Sequence, residues 1–195
     1  MESPRERLRA LLARRSLIFG AITLSNGQQA NYYFDCKRVT LSPEGADLVA
    51  DVFLEQIERL PKPPTAIGGL THGADPILGA VMMRAYERGR NLETFYVRKE
   101  PKQHGTKQLI ENPPPAGSRV VIVEDVITSG TSALKAVEQA TAAGCEVVAV
   151  IALVDRDQGG EAAIRAQCSH YIPLFHLSDF PEIESAAAHS GSAYR

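Results

Sequence analysis

The stretch VVIVEDVITSGTS, Val120–Ser132, decides the fold class of this chain. It begins with four β-branched apolar residues, passes through the acids Glu124 and Asp125, and ends with hydroxyl residues around Gly130. A short, wholly apolar run is typical of a strand buried on both faces, as in a parallel sheet covered by helices. The small residues after it predict a turn into a helix.

Strand and helix patterns alternate on both sides of this stretch. A second continuous apolar strand is predicted at 147–154, and shorter strands near 66–67, 94–97 and 171–174. Capping serines before prolines, at Ser3-Pro4 and Ser42-Pro43, predict helix starts, and further helices are expected over 74–88, after Ser132 and over 161–167. The alternation predicts an α/β fold with an open, mostly parallel five-stranded sheet flanked by helices. Short apolar runs around Ser25-Asn26-Gly27 predict a hairpin, as part of a small N-terminal hood within residues 1–40 of a single domain, 1–195.

Composition excludes several classes of partner. The 195 residues carry a formal net charge of −2, with 44% hydrophobic and 23% charged residues, so neither nucleic acid nor membrane binding is expected. No apolar run approaches the roughly 20 residues that cross a bilayer. The three cysteines, Cys36, Cys145 and Cys168, form no disulfide or metal spacing, which predicts a cytoplasmic protein.

The hydroxyl-rich turn Thr128-Ser129-Gly130-Thr131-Ser132 is suited to holding a phosphate. Small residues let the backbone curl around an anion, and the helix N-terminus adds unpaired N–H groups and a positive dipole end. The adjacent acids Glu124 and Asp125 would repel a phosphate, but they suit the hydroxyls of a ribose or a magnesium ion shared with the substrate. The alternative is an ordinary strand-turn-helix with a hydroxyl cap.

The whole segment resembles the phosphoribosyl-pyrophosphate signature of the type I phosphoribosyltransferases. The resemblance implies that Glu124 and Asp125 contact the ribose 2′ and 3′ hydroxyls and that the loop wraps the 5′-phosphate. With Val126 and Ile127, these positions form one binding segment for phosphoribosyl pyrophosphate. It also implies Mg²⁺, carried by the pyrophosphate rather than by a set of protein ligands.

The segment RKEPKQHG, Arg98 to Gly105, concentrates positive charge after a predicted strand. Most charge runs are solvated surface loops, but a mobile cationic loop could also close over a pyrophosphate leaving group. The segment resembles the catalytic loop of orotate phosphoribosyltransferases. The resemblance implies that Arg98, Lys99, Lys102 and His104 bind phosphoribosyl pyrophosphate, with Lys102, Lys99 and His104, beside Asp125, in catalytic roles. It also implies a homodimer, because in that family the loop enters the neighbouring active site.

The same resemblance assigns residues to the base. Arg156, after the predicted strand that ends in Leu153-Val154-Asp155, stands where the family places an arginine that contacts orotate, and a guanidinium is a good partner for a planar carboxylate. Thr128 would face the base, and Tyr33 and Phe34 would line its pocket. The alternatives are a surface arginine paired with Asp155 or Asp157, and ordinary core aromatics.

The chain departs from the family pattern in three places. Ser25-Asn26 stands where some members have a lysine, and His72 is the best match to another lysine that contacts pyrophosphate. Thr106-Lys107-Gln108 replaces commoner glycines and an acid in the loop. The first two departures leave the pyrophosphate contacts open.

The expected activity is that of a pentosyltransferase, a glycosyltransferase that converts orotate and phosphoribosyl pyrophosphate to orotidine 5′-monophosphate and pyrophosphate in pyrimidine biosynthesis. Two alternatives remain. A regulator with this fold would keep 120–132 without needing the basic loop, and a purine or uracil transferase would give Arg156 no carboxylate to meet.

Overall fold

The structure is a computed structural model that describes residues 2–23, 29–100 and 109–183. Its elements follow one another as α1 Pro4–Ser16, β1 Leu17–Thr23, β2 Gln29–Phe34, α2 Lys37–Thr40, α3 Pro43–Glu58, β3 Ala66–Leu70, α4 Asp75–Glu87, β4 Glu93–Val97, β5 Ile110–Glu111, β6 Arg119–Ile127, α5 Thr131–Ala142, β7 Glu146–Asp155, α6 Gly160–Arg165 and β8 Tyr171–His176. The alternation of strands and helices predicted from the sequence is confirmed.

A mostly parallel sheet with the strand order β5-β4-β3-β6-β7-β8 forms the centre of the molecule. The chain passes from β3 to its neighbour β4 and later returns to pair β6 with the other side of β3. The connections therefore leave β3 and β6 in opposite directions, and ligands of open α/β sheets bind beyond the carboxyl ends of strands at such a switch point.

The sheet has one strand more than the five that the sequence predicts. The sixth is β5, a two-residue strand that pairs antiparallel with Tyr96 and Val97 at the edge of β4. The Asn112 side chain extends this cover by donating to the Thr94 carbonyl at 2.7 Å. Two residues are too few to show a periodic pattern in the sequence. This strand forms because its backbone pairs with the exposed edge of β4.

Two hydrophobic layers lie on the two faces of the sheet. Helices α1, α3 and α4 pack on the face that carries Val121 and Val123, whereas α5 and α6 pack on the face that carries Val120 and Ile122. All four of these β6 side chains are fully buried. The continuous apolar run is therefore explained by a strand that meets helices on both sides.

The predicted helix starts are confirmed by their capping bonds. At α1, the Glu6 N–H donates to Ser3 Oγ at 3.2 Å, and the Ser3 N–H donates to Glu6 Oε2 at 2.7 Å, which completes a capping box. At α3, the Gly45 N–H donates to Ser42 Oγ at 3.2 Å.

Of the N-terminal elements expected to form a hood, only β1 and β2 make a separate, antiparallel two-stranded sheet. Helix α1 instead packs into the main core through Leu8, Leu11 and Leu12. The predicted turn Ser25-Asn26-Gly27 lies outside the described residues. The three cysteines are buried and unbridged, and across the described ranges no helix has the length and apolar character that a membrane span requires.

Candidate active site

The acidic pair lies inside β6 rather than after it. The sequence predicts a turn after Val123, but β6 continues to Ile127 because β7 pairs with it up to Ile127↔Asp155. Pairing with β3 ends earlier, at Gly68↔Ile122. The last five residues of β6 are therefore held from one side only, and Glu124 and Asp125 lie at the switch point.

Glu124 is a buried carboxyl group without full hydrogen bonding. Its side chain is 4% exposed, its Oε1 accepts from the Asp125 N–H at 3.3 Å, and its Oε2 has no hydrogen-bond partner within the described chain. Burial, and then the neighbouring Asp125 carboxylate, raise the pKa of Glu124 well above its ordinary value. The pair therefore resists carrying two full negative charges.

Asp125 is held by one donor on each oxygen. Its Oδ1 accepts from the Val126 N–H at 2.9 Å, and its Oδ2 accepts from Lys37 Nζ at 3.3 Å. The lysine is the first residue of α2, 88 positions away in the chain. These two bonds fix the plane of the carboxylate.

The loop after β3 approaches the acidic pair very closely at Gly73. A Cβ atom on Gly73 would lie 2.3 Å from Asp125 Oδ1 and 2.7 Å from Glu124 Oε1. Real Cβ atoms do not tolerate such distances, so only glycine lets this backbone pass beside the two carboxyl groups.

The predicted phosphate cradle is the turn between β6 and α5. Thr128, Ser129, Thr131 and Ser132 are exposed, and Gly130 at the helix N-cap has a left-handed φ of 81°. The Ser129 and Thr131 hydroxyl oxygens lie 2.9 Å apart. The turn thus presents hydroxyls and the N-terminal N–H groups of α5 on one open surface, which is the arrangement that binds an anion.

The cradle is supported from behind by the start of α6. A Cβ atom on Gly160 would lie 2.4 Å from Ile127 Cγ2 and 2.7 Å from the Thr128 carbonyl oxygen. Ile127 is itself 1% exposed. The start of α6 therefore lies directly against Ile127 and the Thr128 backbone at the base of the cradle.

Arg156 follows β7 directly and lies beside the cradle. Its N–H donates to the Ile127 carbonyl at 2.9 Å, and its guanidinium carbon is 6.0 Å from the centre of the Tyr32 ring. Its Nε atom is buried and has no hydrogen-bond partner within the described ranges.

The acids next to Arg156 are engaged elsewhere. Asp155 is 1% exposed and accepts from the Tyr171 hydroxyl at 2.5 Å and from the Asp157 N–H at 2.8 Å. Asp157 Oδ1 lies 2.7 Å from His176 Nδ1. Arg156 therefore combines a positive charge with an unsatisfied donor at the carboxyl end of the sheet.

The aromatic residues of β2 divide into two environments. Phe34 is 3% exposed and packs edge-on against Phe180, with the ring centres 5.0 Å apart. Tyr33, on the opposite face of the strand, is 37% exposed. Tyr32, which sequence reasoning did not select, is the ring whose centre lies 6.0 Å from the Arg156 guanidinium carbon.

The beginning of the basic segment borders an open cavity of about 650 Å³. Thr71, His72, Asp75, Tyr96, Arg98, Lys99 and Glu100 line it. His72 is largely exposed, with Nδ1 3.3 Å from Asp75 Oδ2, and Arg98 pairs with Glu111 of β5 at 3.1 Å. Lys135 of α5 donates to the Lys99 carbonyl. Lys102 and His104 lie outside the described residues.

Comparison with known proteins assigns the chain to a family. A model of the phosphoribosyl transferase domain matches residues 36–172. An orotate phosphoribosyltransferase of Thermosynechococcus vestitus is 48% identical over 176 residues, which cover 90% of this chain and 92% of that protein. One of Rhodopirellula baltica is 46% identical over 175 residues, which cover 88% and 91%.

A solved structure agrees with these sequence matches. The orotate phosphoribosyltransferase of Mycobacterium tuberculosis H37Rv in complex with 5-phospho-α-D-ribosyl 1-diphosphate is 36% identical, with a TM-score of 0.78 over 91% of this chain and 99% of that one. The chain belongs to the orotate phosphoribosyltransferase family. It is therefore a transferase of the pentosyl class, with the type I phosphoribosyltransferase fold predicted from the sequence.

Sequence reasoning on this family member missed three contributors to the site. Lys37 and Gly73 reach the acidic pair from distant parts of the chain, and Tyr171 holds Asp155 beside Arg156. The one sequence signal was the pair of charged residues Asp35 and Lys37 directly after an aromatic strand. It indicates a polar strand end, without indicating what that end meets.

Proposed function

We propose that this chain transfers the 5-phosphoribosyl group from 5-phospho-α-D-ribose 1-diphosphate to orotate. The products are orotidine 5′-monophosphate and diphosphate, in the de novo synthesis of UMP. The observation that carries the choice of base is Arg156, whose guanidinium has an unsatisfied donor next to the phosphate cradle. Orotate is a planar carboxylate, which such a donor pairs with.

The donor substrate would be held by the two halves of the β6 segment. Thr128 to Ser132 and the N-terminus of α5 would bind the 5′-phosphate through hydroxyl and N–H donors. Glu124 and Asp125 would accept the ribose hydroxyls, and their negative charge would favour the cationic character that develops at the anomeric carbon. His72, on the loop after β3, would face the diphosphate end.

The base would lie between Arg156 and the cradle. Thr128 would border it from the cradle side and the exposed Tyr33 ring from β2, while Phe34, which is buried against Phe180 on the opposite face of the strand, would support the pocket from the core. In the transfer the bond between C1 of the ribose and the diphosphate oxygen breaks, and a bond from orotate N1 to C1 forms. The N1 proton is released, and the electron pair leaves with diphosphate.

The leaving diphosphate would be neutralised by Arg98, Lys99, Lys102 and His104, with Lys102 as the main catalytic group. Mg²⁺ would be carried by the diphosphate and would withdraw charge from the leaving group. Two adjacent carboxyl groups alone supply too few ligands for a resident ion.

A homodimer would complete each active site with the basic loop of its neighbour. Exposed apolar side chains on α4 and β4 support this assembly: Met83, Tyr86 and Tyr96, of which Tyr86 is 74% exposed. Tyr96 also lines the cavity bordered by Arg98 and Lys99. An exposed aromatic ring next to the start of the loop suits contact with a second copy that exchanges loops.

The proposed location is the cytoplasm, without nucleic acid or membrane partners. Three unbridged, buried cysteines and a net charge of −2 support it. The partners would then be the two small-molecule substrates and a second copy of the chain.

The test is incubation of the protein with phosphoribosyl pyrophosphate, Mg²⁺ and a panel of bases. Consumption of orotate, with no turnover of uracil, adenine, guanine or hypoxanthine, is the expected result. Turnover of a purine or uracil in place of orotate would contradict the proposal. Binding of phosphoribosyl pyrophosphate with no turnover of any base would indicate a regulator that keeps the fold.

A further inference from the structure

Lys37 stands out because it connects a short N-terminal helix to the ribose-facing acids. Its Nζ lies 3.3 Å from Asp125 Oδ2, and its own backbone N–H donates to Asp35 Oδ1 at 3.2 Å. The lysine side chain is 47% exposed, against 9% for Asp125. Within the described ranges, no other basic side chain pairs with either member of the acidic pair.

The contact fixes the orientation of a group that must meet a substrate. The Val126 N–H binds one oxygen of Asp125 and Lys37 binds the other, so the carboxylate cannot rotate without losing a bond. Each oxygen keeps a further lone pair for an incoming hydroxyl. The neighbouring Glu124 accepts only a long bond from the backbone and makes no such pairing.

The contact also offsets an electrostatic cost. Glu124 and Asp125 are adjacent and buried, and a phosphorylated sugar diphosphate brings several more negative charges to the same edge of the sheet. Charges of one sign in a poorly solvated site repel strongly. The half-exposed Lys37 ammonium group, 3.3 Å from Asp125 Oδ2, lowers that repulsion.

We propose that Lys37 is a positioning residue for the phosphoribosyl donor, which acts by holding the Asp125 carboxylate in its ribose-accepting orientation. This inference rests on the proposed function, in which Asp125 contacts the ribose. The alternative is that Lys37 only anchors α2 to the sheet. In that case its loss would destabilise α2 and leave the affinity for the donor unchanged.

The first experiment compares Lys37→Met, Lys37→Arg and the control Lys62→Met by titration calorimetry with phosphoribosyl pyrophosphate and Mg²⁺, without a base. Lys62 pairs with Glu146 at 2.5 Å at the opposite, amino-terminal end of the strands. If Asp125 turns away, the donor loses one hydrogen bond to a charged group, and such a loss weakens binding by about tenfold or more, so Kd should rise by about that factor in Lys37→Met. Lys37→Arg should recover most of the affinity, and Lys62→Met should match the wild type.

Steady-state kinetics supply a second readout. KM for phosphoribosyl pyrophosphate should rise about tenfold in Lys37→Met, while KM for orotate stays within about twofold of the wild type. A lower melting temperature with an unchanged Kd for the donor would show that Lys37 only anchors α2 and would overturn the proposal.

The closing experiment is a double-mutant cycle with Asp125→Asn, again read as the Kd for phosphoribosyl pyrophosphate. If Lys37 acts through Asp125, adding Lys37→Met to Asp125→Asn should weaken binding by less than about threefold. If the factors by which the two substitutions weaken binding instead multiply in the double variant, the proposal is overturned and Lys37 contacts the substrate directly. These Kd measurements contain no base, so they test the role of Lys37 independently of turnover. If the wild type failed to consume orotate in the separate activity assay, that result would contradict only the proposed function.

Discussion

Glu124 and Asp125 are neighbours in sequence with the same functional group, yet their carboxyl groups have different hydrogen-bond partners. Asp125 has a backbone donor and an ammonium group on its two oxygens, whereas Glu124 has a buried oxygen without a partner in the described chain. Desolvation therefore acts on Glu124 with little compensation, and its pKa rises.

Glu124→Gln should stabilise the fold and impair the enzyme. A carboxyl group with a raised pKa in the folded state loses folding free energy as the pH rises from its ordinary value, near 4.5, through the raised one. At pH 8 the variant should therefore gain about 1–3 kcal/mol, with a Tm about 2–4 °C higher for each kcal/mol. Thermal unfolding at pH 5 and pH 8 measures this.

The gain from Glu124→Gln should be smaller at pH 5 than at pH 8, and turnover should fall at least about tenfold because the ribose loses a charged acceptor. An equal gain at both pH values would show that packing, rather than ionisation of Glu124, causes the difference in stability between the variant and the wild type.

The adjacent acids could be identified from the sequence because they share one short segment with the cradle. Their partners could not. Lys37 lies 88 positions from Asp125, and Gly73 reaches the pair from the loop after β3. A single sequence reveals chemistry that is local in the chain, while contacts between loops depend on how the strands are ordered.

At the scale of elements, the site depends on two loops that leave adjacent strands of the sheet. The loop after β3 passes beside the acids through Gly73, and the loop after β6 rests on α6 through Gly160. Neither approach leaves room for a Cβ atom. The Gly73 backbone therefore lies directly against the two carboxyl groups, and the Gly160 backbone lies directly against Ile127 and Thr128.

Gly73→Ala should disrupt the site, whereas Gly79→Ala should not. The first substitution places a methyl group 2.3 Å from Asp125 Oδ1, so the acids must shift, at a cost of about 1–3 kcal/mol. We expect donor affinity to fall about tenfold or more. Gly79 lies within α4 with no atom within 4 Å of its Cβ position, so alanine should stabilise the helix by up to about 1 kcal/mol.

Calorimetry with phosphoribosyl pyrophosphate and urea unfolding of both alanine variants check this pair. Unchanged donor affinity in Gly73→Ala would mean that the loop yields without moving the carboxyl groups.

The elements themselves were largely predictable, because each buried strand and capped helix has its own local pattern. The exceptions have tertiary causes. β6 runs four residues past its predicted end because β7 continues to pair with it, and β5 exists only as a cover for β4. The β6 extension decides where the acids lie, so the sequence predicted the chemistry of the site better than its exact position on the sheet.

At the scale of the whole molecule, the proposed exchange of loops can be tested by mixing inactive proteins. Lys102→Ala should lose turnover by about 100-fold or more, because it removes a charge-stabilising donor, and Asp125→Asn should impair the donor site. If the loop acts across a dimer, unfolding and refolding the two variants together should restore activity, since some mixed dimers contain one intact site.

Maximal recovery is about a quarter of wild-type activity when equal amounts associate at random into dimers. Activity assays after co-refolding, with each variant refolded alone as the control, measure it. No recovery, with dimers present by light scattering, would mean that each loop serves its own subunit.

The small strand β5 bears on solubility as well as on architecture. It pairs with Tyr96 and Val97, the adjacent Arg98 N–H donates to the Leu109 carbonyl at 2.8 Å, and the Asn112 amide donates to the Thr94 carbonyl. A bare outer strand would be a template for the strand of another molecule and a starting point for aggregation. With this border capped, a second molecule cannot readily extend the sheet at β4, so a dimer of the proposed kind would have to meet at this edge through side chains.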